Sequence, residues 1–378
     1  MYELTDEQRA IRAMAREFAR REIAPFAAEW NATHSPNVDV VRKMGEVGLL
    51  GMVVPESDGG PGLDNVTLAL VTEEIAAADV GTSVSFAVQN GLAIDPLVHH
   101  GNDEQRAAWL PRLVAGEVLG AYGLTEPDVG SDVGALRTQA VRDGDEFVVS
   151  GSKMWISSGG FADVFILFAR TDGPGPKGIS AFIAPVGEGL TVSEIDKMGL
   201  HSSSTVELAF DGLRIPAANM LGEPGTGMAI ALETLDGGRI TVAAQACGIA
   251  RAALELACEY ATQRTAFGGP IGRFQGVQFP LADVSAKLEA ARALTIAAAR
   301  VRDRGEPHSL VGAQAKLVAS SVAVEAADVA VQTLGGMGYS AEFAAERLYR
   351  DAKVTQIYEG TSQIQRLVIA RHILGRMA

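Results

Sequence analysis

The sequence predicts a mainly α protein with a central β domain, and three observations carry that prediction. Ile11, Met14 and Phe18 recur at helical spacing near the start, and a series of short, turn-bounded strand segments fills the middle. Near the end, Leu281, Val284, Leu288, Ala291 and Leu294 trace one apolar helical face. At 378 residues the chain exceeds one ordinary core, so two or three domains are expected. The texture divides it into 1–120 helical, 121–225 β and 226–378 helical.

In the first domain, Thr5 and Gln8 have capping-box spacing at the start of a helix, and Pro25 marks a bend near its end. VVPESDGGPG (53–62) reads as a breaker-rich loop. Asn102 caps a last helix, DEQRAAWLPRLVAG. The texture changes from Leu119. Asp143-Gly144-Asp145 is a turn signal between strand-like runs, and DVFILFAR, GISAFIAPV, LTVSEI and TVELAFDGLRIP continue as strands. Beyond GEPGTG the pattern predicts three long helices of about 28 to 35 residues and a shorter terminal one, packed as a bundle.

Hydrophobic residues at 47% and charged residues at 21% fit a globular protein. A net charge of -14 argues against nucleic acid and anionic membranes as partners, while leaving room for a few Arg residues to bind a small anion. Cys247 and Cys258 on one helix would stand about 16 Å apart, too far for a disulfide. They also lack metal-ligand spacing, and no metal site is expected. The opening MYELTDEQRAIRAMAREF carries Glu3 and lacks the order of a secretory signal or transit peptide. No uncharged apolar run approaches the roughly 20 residues of a membrane span, so a cytoplasmic location without integral membrane association is expected.

General motif rules yield little. GEPGTG (222–227) lacks the Lys-Ser/Thr of a P-loop, and GGMGYS (335–340) follows a helical run rather than a strand. His99 and His100 are adjacent and project in different directions. On these rules alone a helical binding protein stays open.

Five collinear segments are more specific: AYGLTEPDVGSDV (121–133), LGEPGTGMAIALETLDGGR (221–239), RTAFGGPIGRFQ (264–275), QTLGGMGYSAE (332–342) and RDAKVTQIYEGTSQIQRLVIARHIL (350–374). Together they resemble the acyl-CoA dehydrogenase family across essentially the whole chain, most closely its short-chain branch. The resemblance implies an N-terminal helical domain, a middle β-barrel-like domain and a C-terminal four-helix bundle. It also implies FAD as cofactor, an acyl-CoA substrate with a short straight or short branched chain, electron-transfer flavoprotein as partner, and a homotetramer built as a dimer of dimers.

Removing a proton α to a thioester needs a base shielded from water, with its pKa raised toward neutrality. Ile357 and Tyr358 precede Glu359, and Gly360 follows it. Residue types alone read as a helix-end glutamate beside a terminating Gly. The resemblance makes Glu359 the base. Some relatives place their glutamate just before the residue that is Arg239 here, where this chain has Gly238.

The resemblance further assigns Tyr122, Leu124, Thr125 and Gly130 to FAD, and Ser131 to both FAD and acyl-CoA. Asp128 and Val129 stand where many relatives have small residues, and His201 where many have Arg. Trp155, Ile156 and Ser157 resemble the element packed on the flavin ring, although a Trp is more often core. Arg264, Gln275, Gln332, Gly335 and Gly336 match contacts to a neighbouring subunit's FAD, joined by Thr361, Ser362 and Gln363. Asp236 and Arg239, three apart on one helix face, match CoA contacts, as do Glu359 and Gly360; a surface ion pair is their simpler reading. An oxidase on the same fold and, more remotely, a non-catalytic acyl-CoA-binding protein are the rival functions.

Overall fold

The computed structural model describes residues 3–36 and 38–375. The N-terminal part comprises α1 (Asp6–Phe18), α2 (Ala27–Thr33), α3 (Val38–Glu46), α4 (Asn65–Ala78), α5 (Val80–Ala87), α6 (Asp95–His100) and α7 (Asp103–Val114). Thr5 and Gln8 form the expected reciprocal cap, at 3.1 and 3.0 Å. Asn102 and Gln105 do the same for α7, at 2.8 and 3.1 Å. Each pair satisfies two backbone N–H groups that a helix start leaves open. After α1 the chain makes a π turn over Ala19–Ile23 and bends at Pro25 into α2.

The middle domain holds β1 (Gly120–Gly123), β2 (Gln139–Asp143), β3 (Glu146–Ser157), β4 (Val164–Arg170), β5 (Ile179–Pro185), β6 (Leu190–Glu194), β7 (Thr205–Pro216) and β8 (Met220–Leu221). Their order is β6-β7-β3-β2-β4-β5-β8, with β1 parallel to β4. β2 meets β4 at one register pair, Gln139 and Arg170. The two halves therefore fold toward each other around Phe147, Val149, Phe165, Leu167, Phe182, Leu208 and Phe210. This gives the domain its barrel-like form, although the strand path stays open.

The C-terminal domain contains α8 (Gly227–Gln263), α9 (Gln275–Asp303), α10 (Ser309–Leu334), α11 (Ala344–Val354) and α12 (Ser362–Leu374). A short hairpin, β9 (Thr265–Ala266) and β10 (Gly269–Pro270), links α8 to α9. Antiparallel α9 and α10 are bridged by Lys287 and Glu325 at 2.6 Å. Ala243, Ala246 and Ala250 of α8 and Ala315, Ala319 and Ala323 of α10 are all buried, so these helices approach closely. The single short terminal helix expected from sequence is two helices, α11 and α12, interrupted at residues 355–361. That interruption carries Glu359.

Both cysteines lie on α8 and are free. α8 and the helical stretch from Ser309 to Tyr339 are long and apolar enough to cross a membrane, but the most apolar window of α8 is 72% buried inside the protein. One apolar core joins all three parts: Val84 and Leu97, then Ile166 and Phe168, then Ile240, Ala243, Ala319 and Leu348. Tyr122, Arg239 and Glu359 sit along that junction.

Candidate functional site

Glu359 lies in the turn between α11 and α12, with φ +48, followed by Gly360 at φ +89. It does not end a helix, as residue types alone had implied. α11 stops at Val354, and Thr361 caps α12 by accepting from Ile364 N at 3.3 Å. Ser362 N donates to Gln356 O at 2.9 Å and closes the turn. Thr361 and Ser362 are half-buried beside the base, and Gln363 is exposed.

As a residue Glu359 is half-buried, yet its Oε2 is sealed from solvent without a hydrogen-bond partner. The carboxyl rests on α8 at Gly238, where an added Cβ would stand 1.8 Å from Oε2. Burial pushes its pKa up, against the pull of Lys316 and Arg239, to about 7. A carboxyl held near neutrality in a dry site has the properties a general base requires.

Arg239 is only 5% exposed, so the surface-pair reading of Asp236 and Arg239 is wrong. Its guanidinium donates to Asp236, whose Oδ1 also accepts from Ser309 Oγ at 3.1 Å. Tyr122 is buried on β1, and its hydroxyl donates to Ala231 O of α8 at 3.4 Å. Burial, with the nearby Glu359 and Asp95 carboxylates, raises this phenol well above its ordinary value, so it stays neutral. Tyr122, Arg239 and Glu359 thus converge from β1, α8 and the α11–α12 turn.

Trp155 is not core. It is 54% exposed and adopts φ +64. The β3–β7 register shifts between Lys153 and Ile156, a bulge that turns the indole outward while Ile156 stays buried and Ser157 half-buried. A bulky residue in the left-handed region is rare and marks a site held by its surroundings. The loop after β1 is fixed to this strand: Met154 N donates to Thr125 O at 2.9 Å, and buried Lys153 reaches Leu124 O at 3.0 Å and Glu126 Oε1 at 2.9 Å. Leu124 is buried and Thr125 half-buried, while Gly130 and Ser131 are exposed. Of the departures from the family pattern, Asp128 pairs with Arg137 at 3.5 Å and Val129 is buried. His201 stacks on His34, with ring centroids 3.9 Å apart.

Arg264 caps the C-terminus of α8 in extended conformation, and Gln275 begins α9. Gln332 is in the last turn of α10, followed by Gly335 at φ +61 and then Gly336. All five are exposed and gather at one end of the antiparallel bundle. Along α8, Arg264 lies 26 residues from Gly238, about 39 Å at about 1.5 Å per residue. One chain therefore carries two separate groups of candidate residues, the second far from its own Glu359.

Sequence reasoning missed Lys316, Gln365 and Gln245 around the Glu359 turn, and the Glu126–Lys153 pair beneath the β1 loop. Lys316 left one signal: a lysine within the small-residue stripe Gly312, Ala315, Ala319, Ala323. Tyr358 donates its hydroxyl to Gln245 Oε1.

The residues fit a flavin: an uncovered indole, half-buried hydroxyls at Thr125 and Ser157, and exposed Arg264 suited to a diphosphate. Family models agree with the geometry. Residues 5–117 match the acyl-CoA dehydrogenase N-terminal domain, 121–213 the middle domain and 225–374 the C-terminal domain. The chain belongs to the acyl-CoA dehydrogenase family, FAD-dependent oxidoreductases. Among individual relatives, it is 46% identical to the mitochondrial short-chain specific acyl-CoA dehydrogenase of Mus musculus, over 98% of this chain and 91% of that one. It is 42% identical to butyryl-CoA dehydrogenase from Megasphaera elsdenii, with a TM-score of 0.97 over 99% and 100% of the two chains. A chain in the structure of the electron transferring flavoprotein of Acidaminococcus fermentans is 44% identical, with a TM-score of 0.98 over 99% and 100%.

Proposed function

We propose that this protein converts short straight or short branched acyl-CoA thioesters to trans-2-enoyl-CoA in the cytoplasm, with Glu359 removing the α-proton. The observation that carries this reading is the sealed, unpartnered Oε2 of Glu359, on a carboxyl whose burial raises its pKa to about 7. The likeness to short-chain and butyryl-CoA enzymes supports the substrate class.

Glu359 Oε2 takes the pro-R α-proton as the Cα–H bond breaks. Its backbone N–H donates to the thioester carbonyl and stabilises enolate character at the oxygen. Arg239 and Lys316 leave positive charge beside the carboxyl, which keeps part of the Glu359 population ionised despite burial. Tyr122, Leu124, Thr125, Gly130 and Ser131 line the flavin and thioester side, and Trp155, Ile156 and Ser157 wall the flavin ring. Asp236, Arg239 and Gly360 lie on the CoA path. FAD, when bound, supplies the acceptor for the β-hydride at N5. Electron-transfer flavoprotein is the proposed electron acceptor, supported by the Acidaminococcus neighbour.

Arg264, Gln275, Gln332, Gly335, Gly336, Thr361, Ser362 and Gln363 are proposed to hold FAD across a subunit boundary, in a homotetramer arranged as a dimer of dimers. The separation of about 39 Å along α8 supports this exchange for Arg264, Gln275, Gln332, Gly335 and Gly336, whereas Thr361, Ser362 and Gln363 directly follow Glu359.

Glu359→Gln keeps shape and backbone N–H but cannot accept a proton. General-base contributions are about 10²–10⁴-fold. Because Gly238 offers no replacement carboxylate, the loss is expected at or beyond the upper end. Stopped-flow decay of flavin absorbance with butyryl-CoA and isobutyryl-CoA measures it. Reduction of the Gln variant within about tenfold of the parent rate would remove Glu359 as the base.

A further inference from the structure

Lys316 lies on α10 at 1% exposure, surrounded by the small residues of the bundle. A buried ammonium needs strong acceptors, because losing water costs far more than an apolar stem recovers. Here the acceptors are main-chain carbonyls. Nζ donates to Tyr358 O at 2.6 Å and to Gly360 O, which flank Glu359 on either side. Gln365, fully buried on α12, adds a second hold: Nε2 donates to Gly360 O at 2.8 Å and to Glu359 O at 3.3 Å. Three successive carbonyls are thereby captured from two helices.

We infer that Lys316 is a positioning residue for Glu359, clamping the carbonyls on both sides of it so that its side chain is held against α8. This rests on the reading of Glu359 as the base. The clamp explains how a non-glycine residue keeps φ +48 between two helices. With both flanking peptides fixed, the carboxyl projects toward Gly238 rather than into solvent.

The clamp also carries charge. Facing Glu359 are Lys316 from α10, Arg239 from α8 with its partner Asp236, Tyr122 from β1, and Tyr358 from its own turn. Burial raises the Glu359 pKa, and Lys316 is the larger of the two charges opposing that rise. Burial conversely holds the Lys316 ammonium below its ordinary value. With Lys316 removed, Arg239 still opposes the rise but the larger opposing charge is gone, so Glu359 keeps its proton to higher pH.

The test uses the FAD-loaded protein. The infrared carboxyl band that Glu359→Gln abolishes reports Glu359 protonation without turnover. In Lys316→Met its titration midpoint should rise by about one pH unit or more. Flavin reduction by butyryl-CoA at pH 7 should fall by about tenfold or more and recover in part at alkaline pH. Lys316→Arg retains the charge and should return the midpoint to within about half a unit of the parent. Lys316→Gln serves if the Met variant does not retain FAD. A flavin-loaded Met or Gln variant with the parent's midpoint and rate overturns the inference. Failure of the base reading is distinct: Glu359→Gln would then reduce its flavin normally while the infrared shift persisted.

Discussion

At Gly238 the chain leaves room where a Cβ would stand 1.8 Å from Glu359 Oε2. In the sequence this glycine registered only as the absence of a second carboxylate. Its role is spatial. Ala at this interior helix position gains about 1 kcal/mol of helix propensity, so Gly238→Ala should melt no lower than the parent by calorimetry. The carboxyl tip, however, must move by about 1 Å or more to escape contact, and misplacement of that order costs about 10²-fold in rate. Stopped-flow flavin reduction should show that loss, and an unchanged rate would mean that the tip repacks without consequence. The proposal of Glu359 as the base came from the YEGT resemblance and not from residue type. Its left-handed backbone and buried carboxyl come from contacts with α8, α10 and α12, which no local pattern records.

Helix starts were legible because capping is local: Thr5 with Gln8 and Asn102 with Gln105 need only three residues of context. The β3 bulge was not, because EFVVSGSKMWIS reads as one continuous strand and its register is set by β7. The docking of α1 was equally hidden. Arg12 Nε and Arg16 Nη2 reach Glu74 Oε1 at 2.7 and 2.8 Å, and Arg251 of α8 reaches Glu74 Oε2 at 2.7 Å. Burial alone would raise the Glu74 pKa, but Arg16, Arg251 and Arg12 outweigh it and bring the value down to about 2. A depressed carboxyl stabilises the fold above its unfolded value of 4.5, and that stability is lost as pH falls through about 2. The shift is worth about 3 kcal/mol at about 1.36 kcal/mol per pH unit. Urea unfolding at pH 7 should show Glu74→Gln destabilised by about that amount. Its stability should then decline less than the parent's between pH 4.5 and 2, with faster hydrogen exchange in α1. Parallel pH curves for parent and variant would refute the role of Glu74.

The order of helical, β and helical parts was readable from periodicity, because each period belongs to its own segment. Their union into one core was not, since Leu97, Phe168 and Ala243 meet through tertiary packing. Assembly is a step further from sequence, and the exposed surface bears on it. Phe267, in the turn between β9 and β10, is 92% exposed, and Tyr339, beyond the end of α10, is 87% exposed. These two exposed rings share the bundle end with Arg264, Gln275 and Gln332, the end proposed to meet a neighbouring subunit. If that end reaches a neighbour's cofactor within a closed tetramer, assembly and flavin retention must be linked, because each contact is reciprocated. Sedimentation of the parent should then show a flavin-loaded tetramer. Phe267→Asp places a charge at the contact and should yield smaller species that lose FAD on dialysis. Arg264→Ala should remain tetrameric yet lose FAD faster than the parent, because it removes the proposed phosphate contact and leaves Phe267 in place. The pair of variants separates the two roles of the surface. A flavin-loaded monomer in the parent, or Phe267→Asp that dissociates while keeping all its FAD, would break the link between the bundle end and a neighbour's cofactor.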